Sequence, residues 1–154
     1  MEHNSKEYKM KLSESIQHSF HDEGQRLIAE VLFTANWLDA KIAKLIEGTG
    51  LSFQQLNVLR IIAGQDAGSA NVQLIKDRMI SDSSNVSRLL NKLAEKQLIE
   101  KERCTNDQRV VYLQLTKAGE SLMQKGKRLV ESFEFEMESK KLNQLNELLE
   151  AVRK

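Results

Sequence analysis

A mainly α-helical chain carrying one small β-hairpin is what this sequence predicts, on three observations. Apolar residues recur at helical spacing over long stretches, and 154 residues contain no proline and only 7 glycines to interrupt them. Within Ser81–Leu115 the period then changes. Val86, Leu89, Leu90 and Leu93 share one helical face, whereas Val111, Leu113 and Leu115 alternate with Val110, Tyr112 and Gln114 as in a strand. Finally, Ile99–Arg103 precedes that strand across a turn at Thr105-Asn106-Asp107, which completes a hairpin. The face of the Ser81–Lys96 helix opposite its apolar side carries Ser84, Asn85, Ser87, Arg88, Asn91 and Lys92, short hydrogen-bonding groups plus cations. A helix with a small polar face, followed at once by a charged hairpin, is the pattern of a winged helix-turn-helix that binds nucleic acid. The expected organisation is N-terminal helices contributing to dimerisation over 1–48, the winged helix-turn-helix over 49–116, and C-terminal dimerisation helices over 117–154.

Composition sets the bounds. The chain is long enough for one domain with a real core. A formal net charge of +1 does not advertise a nucleic-acid partner, so any basic surface must be local. One cysteine gives no internal disulfide framework and fits a reducing compartment. No apolar run approaches the ~20 residues a membrane span needs, and Met1 opens onto a polar segment without a secretory signal. The expectation is a cytoplasmic protein with no membrane contact. No internal repeat or low-complexity segment is visible.

In chain order, Met1–Lys11 is polar and basic, and Leu12, Ile16 and Phe20 support a short amphipathic helix ending near Asp22–Gly24. His18 and His21 lie on its polar side beside Asp22 and Glu23. Two histidines without a further ligand motif read as surface residues, so no metal and no cofactor is expected, a metal-responsive regulator being the subordinate alternative. Gln25–Glu47 carries a continuous stripe from Leu27, Ile28, Val31 and Leu32 through Ala35, Leu38 and Ile42 to Leu45 and Ile46. Phe33 and Trp37 lie beside that stripe. They either widen a buried or intersubunit face or, with Arg60, wall a pocket for an aromatic ligand.

Gly48-Thr49-Gly50 ends this helix. Ser52 and Gln55 form a capping box for the helix Phe53–Ala63, with Leu51 and Leu56 as its hydrophobic staple. Gly64–Gly68 is a loop. Val72, Leu74, Ile75 and Met79 support a short helix ending near Ile80-Ser81, and Ser81 or Asp82 can cap the helix that follows. Beyond the hairpin, Thr116 caps a helix from Lys117 to about Glu138, with Leu122, Leu129, Phe133 and Met137 on its apolar edge. A last helix over about Lys140–Arg153 carries Leu142, Leu145, Leu148, Leu149 and Val152. The flanking helices hold more apolar surface than a lone winged helix can cover, which predicts a second copy of the chain.

Four segments in order resemble the MarR family of bacterial regulators. Gly50-Leu-Ser-Phe-Gln-Gln-Leu-Asn-Val-Leu59 is similar to that family's Gly-Leu-Thr-x-x-Gln-x-x-x-Leu. Ser83-Ser-Asn-Val-Ser-Arg-Leu-Leu90 resembles the start of its recognition helix. Asp107-Gln-Arg109 stands where the wing's Asp-x-Arg belongs, and Leu115-Thr-Lys-Ala-Gly119 resembles the Leu-Thr-x-x-Gly after the wing. The likeness covers nearly all of the chain after the first dozen or so residues. Two positions depart from it. Gln97 stands where the family usually has glycine, which bears on the turn into the wing. Lys101 replaces an arginine, keeping the charge and losing the bidentate fork.

The resemblance implies a homodimeric transcription regulator, a repressor, whose recognition helices enter successive major grooves of a pseudo-palindromic operator. Half-sites would lie about 34–36 Å apart. Ser83, Ser84 and Asn85 in the first helical turn would face a phosphate, where free N–H groups and the helix dipole favour an anion. Ser87, Arg88 and Asn91 would reach base edges. Arg109 resembles the wing arginine that enters the minor groove, and Asp107 would orient the wing. Lys101 and Arg103 would add phosphate contacts, opposed by Glu100 and Glu102. Release by a small aromatic or anionic effector follows from the resemblance as well. Cys104, beside the wing tip, reads as a passive thiol, since only Arg103 adjoins it. A winged helix that docks on protein without reading DNA is the competing class, motivated by the low net charge and the paired wing acids. An enzyme is excluded by the lack of a nucleophile–base pair, a phosphate loop or a ligand cluster.

Overall fold

The computed structural model describes residues 20–66, 68–79, 85–103 and 110–154. Leu12, Ile16, His18, the Ser81 and Asp82 caps, Ser83, Ser84, Cys104, the Thr105-Asn106-Asp107 turn and Arg109 lie outside the described residues.

The first helix, α1 (Glu23–Ile46), starts where Asp22 accepts a hydrogen bond from the Gln25 N–H at 2.8 Å. The Asp22 carboxylate, read from sequence as a neighbour of the histidines, is thus an N-cap. A 3-10 turn, Glu47–Thr49, and Gly50 with φ 65 close α1. Helix α2 (Phe53–Ala63) begins with the full Ser52–Gln55 capping box expected from the sequence. It is the hub of the core. Leu56, Val58, Leu59 and Ile62 are all fully buried, so it is covered on more than one face.

Strand β1 (Ser69–Asn71), α3 (Val72–Arg78), α4 (Val86–Glu95), β2 (Ile99–Arg103) and β3 (Val111–Leu115) follow. The sequence carries no strand signal at 69–71, because three residues with no alternating apolar pattern give none of their own. Ala70 is buried opposite Leu113, and that pairing makes the strand. The sheet is antiparallel in the order β1-β3-β2. Helix α3 ends at Arg78, two to three residues before the expected end, with Met79 as its cap in extended geometry. The regular part of α4 begins at Val86, with Asn85 as its cap residue.

The core joins the end of α1 (Ile42, Ile46), α2, Ile75 of α3, Val86, Leu90 and Leu93 of α4, Ile99, Leu113 and Met123. Full burial of each such aliphatic side chain contributes about 1.5–3 kcal/mol. Helix α5 (Lys117–Glu131) is capped by Thr116, whose hydroxyl oxygen accepts from the Gly119 N–H. Two glycines let it sit close. A Cβ on Gly119 would overlap the Leu98 carbonyl oxygen, and one on Gly126 would lie 2.7 Å from Leu56 Cδ1.

One expectation needs correction. Helix α5 stops at Glu131 rather than near Glu138, so Phe133 and Met137 are not on its edge. Phe133 instead makes edge-on contacts with Trp37 of α1, centroids 6.3 Å apart, and with Phe135 at 4.9 Å. Packing of Phe133 on Trp37 competes with continuation of the helix. The apolar stripe along α1 is buried within the chain only near its end. Ile42 and Ile46 are in the core, whereas Ile28 is 64% and Leu32 60% exposed. The last helix, α6 (Ser139–Val152), contains no buried residue.

Candidate nucleic-acid interface

Helix α4 and the wing share one side of the molecule. The apolar residues of α4 point into the core, which forces Asn85, Ser87, Arg88, Asn91 and Lys92 outward, and all five are exposed. The helix ends in a Schellman turn. The Gln97 N–H donates to the Ala94 carbonyl at 2.8 Å and the Leu98 N–H to the Leu93 carbonyl at 2.9 Å. Leu93 and Leu98 are both buried beneath that turn. Gln97 takes φ 56, the left-handed geometry that glycine adopts most easily. The turn into the wing therefore keeps its shape despite the side chain. Thr116 braces it by donating from its hydroxyl to the Gln97 carbonyl at 2.8 Å.

The hairpin register sorts the wing's charges. Lys101 pairs with buried Leu113 and Arg103 with Val111, whereas Glu100 pairs with Gln114 and Glu102 with Tyr112. Directly opposed residues project to the same face, and successive residues alternate. Lys101 and Arg103 thus leave the sheet on the side of α4, and Glu100 and Glu102 on the other. Sequence reading set these acids against the cations; the pleat separates them. Lys101 confirms the direction, since its Nζ donates to Asn91 Oδ1 of α4 at 2.7 Å.

An open groove of about 320 Å3 runs between the start of α2 and α4, lined by Ser52, Gln54, Gln55, Asn85, Arg88, Leu89 and Lys92. Sequence reading gave Ser52 only a capping role and left Lys92 out of the candidate site. Lys92 could have been found, because it lies one turn beyond Arg88 on the same face. Gln54 could not, since only the packing of α2 on α4 brings it there.

The three residues considered for a ligand pocket are not gathered into one. Trp37 meets Phe133 and has the Lys41 ammonium 6.0 Å from its ring centroid. Phe33 lies one turn before it, partly exposed. Arg60 is exposed near the end of α2. A different hollow of about 250 Å3 lies between α1 and α2, lined by Leu38, Asp39, Ile42, Phe53, Asn57 and Met79 among others. His21 is exposed, and no three His, Cys, Asp or Glu side chains come together among the described residues. No helix among them is long and apolar enough to cross a membrane.

The family model described as transcriptional regulator SarA/Rot matches residues 40–125, more than half of the chain. This chain belongs to the SarA/Rot family of transcriptional regulators. The matched span runs from α1 through the wing to α5, so it contains every described residue of the candidate interface. Among solved structures, this SarA/Rot-family chain is similar to a putative MarR-like transcription regulator from Bacillus cereus, at 21% identity and TM-score 0.75, covering 85% of this chain and 96% of that one. A mutant Escherichia coli MarR complexed with operator DNA gives 19% identity and TM-score 0.75, with 88% and 99% covered. An organohalide-sensing transcriptional regulator in its 2,4-dichlorophenol-bound form gives 12% identity and TM-score 0.76, with 90% and 86% covered. No curated protein sequence matches the chain. The MarR-type winged-helix fold expected from the four segments is the fold found.

Proposed function

We propose that this SarA/Rot-family regulator is a homodimeric DNA-binding repressor that reads a pseudo-palindromic operator through α4. The observation that carries this reading is the α4–wing face. Ser87, Arg88, Asn91 and Lys92 stand exposed beside Lys101 and Arg103, while the wing acids project from the opposite sheet face. A local basic surface of this kind reconciles DNA binding with a net charge of +1. Arg88 has the reach and donor geometry for a guanine edge, and Lys92 and Arg103 suit phosphates. Ser83, Ser84 and Asn85 are assigned to a phosphate, and Asp107 and Arg109 to the wing tip and minor groove, by likeness to the MarR motifs. The operator-bound structural relative supports the DNA partner.

The exposed half of α1 and the unburied α6 support the homodimer, since a second copy would cover both. The paired acids that helped motivate a protein-docking reading lie on the sheet face away from α4 and do not oppose the cations there.

Release by a small aromatic effector is the second part of the proposal. The phenol-bound relative supports it, as does the hollow between α1 and α2. Its described lining contains Asp39 and Asn57 but no cation, which favours a neutral aromatic compound over an anion. Such a compound would bind between a dimerisation helix and the reading head, where it can change their relative angle.

The test is affinity for the DNA upstream of the chain's own gene, measured against random duplex at several salt concentrations. Preference for the upstream DNA with a steep salt dependence is expected. Equal binding to both, with no change in Arg88→Ala, would sink the reading.

A further inference from the structure

The hydrogen bond between Lys101 and Asn91 links the wing to the second turn of α4. An ammonium has three donors and no acceptor. The Asn91 atom facing it must therefore be the carbonyl oxygen, and the orientation of the amide follows from chemistry. The Asn91 Nδ2, with two N–H donors, lies on the other side of the group. Lys101 has further N–H bonds beyond the one given to Asn91, and both residues are exposed. The pair thus presents donors from two elements side by side.

The four base pairs answer such an array differently. In the major groove guanine shows two neighbouring acceptors, N7 and O6. Adenine shows one acceptor beside an amino donor. An asparagine acting alone suits adenine, because its Oδ1 accepts from the amino group while its Nδ2 donates to N7. Here an ammonium engages Oδ1, and its charge disfavours an approaching amino group.

We propose that Lys101 is a positioning residue for Asn91, and that the pair makes the second turn of α4 select guanine rather than adenine. This rests on the reading of α4 as the element in the major groove. It departs from the assignment of Lys101 to a phosphate, because the side chain acts through Asn91.

The experiment uses the full-length protein and an operator selected from random duplexes, changed one base pair at a time. Wild type is expected to lose about tenfold in affinity when one guanine per half-site becomes adenine, within the range for a good base contact. In Lys101→Met that preference should fall to about twofold or less, with the salt slope unchanged. Asn91→Ala should erase the same preference, and the double variant should be no worse than either single one. A phosphate role for Lys101 predicts the reverse, a slope reduced by about one with base preference intact. That result, or additive single variants, overturns the inference while leaving DNA reading by α4 standing. A wild type that binds every duplex alike overturns both.

Discussion

Gln97 shows how a single residue can be shaped by its neighbours against its own preference. A side chain in the left-handed region costs about 1–2 kcal/mol, yet the Schellman bonds and the Thr116 hydroxyl hold it there. Gln97→Gly should therefore raise stability by up to about 1 kcal/mol after the added freedom of the unfolded chain is subtracted. A melting temperature higher by about 2–4 °C would be the sign; a lower one would refute the account. Gly119 is the opposite case. The Leu98 carbonyl occupies the place its Cβ would take, and a backbone atom cannot rotate away as a side-chain tip can. Gly119→Ala should cost several kcal/mol, well beyond the 1–3 kcal/mol of ordinary overpacking, read as a lower denaturation midpoint. The glycine in Leu115-Thr-Lys-Ala-Gly119 was legible as a motif position. Its physical reason was not, because the Leu98 carbonyl arrives from 21 positions earlier.

At the scale of elements, α4 was readable because its two faces differ so strongly in residue type. Its start was less so, since several polar residues between Ser81 and Asn85 can all serve as caps. The end of α5 was misjudged for a different reason. Phe133 and Met137 continue the helical spacing of Leu122 and Leu129, but Phe133 packs on Trp37 beyond the end of the helix. Helical period in the sequence cannot report a ring waiting on another element. No residue of α6 is buried within the described chain. Leu148 is 65% exposed, so little packing among the described residues depends on it. Leu148→Glu should therefore leave the melting of the core nearly unchanged while converting a dimer to a monomer in sedimentation. An unchanged mass would show that α6 is not the contact between copies.

For the whole molecule, charge is better described by its distribution than by its sum. Acids and bases are equal in number to within one, yet in the wing Lys101 and Arg103 lie on the α4 side and Glu100 and Glu102 on the other face. A regulator built this way should bind DNA with a salt slope set by its local cations and not by its net charge. Replacing Arg103 with Ala should reduce that slope by about one per protomer, with base preference unchanged. Titration of operator affinity against salt checks this, and a slope equal to wild type would remove Arg103 from the interface. A monomeric Leu148→Glu variant should lose far more than twofold in operator affinity, because the second half-site then binds as a separate molecule.

The sequence by itself determined the periodic elements, the Ser52–Gln55 capping box and the amphipathic α4, because those depend on residues within a turn or two of one another. It also carried the likeness that pointed to a winged-helix regulator. Only the tertiary structure decided where Lys101 points, that β1 exists, that α5 ends at Glu131 and that Gln54 joins the groove beside Arg88. Each of these is set by atoms distant in the chain, and the pleat of a strand or the arrival of an aromatic ring leaves no local pattern to read.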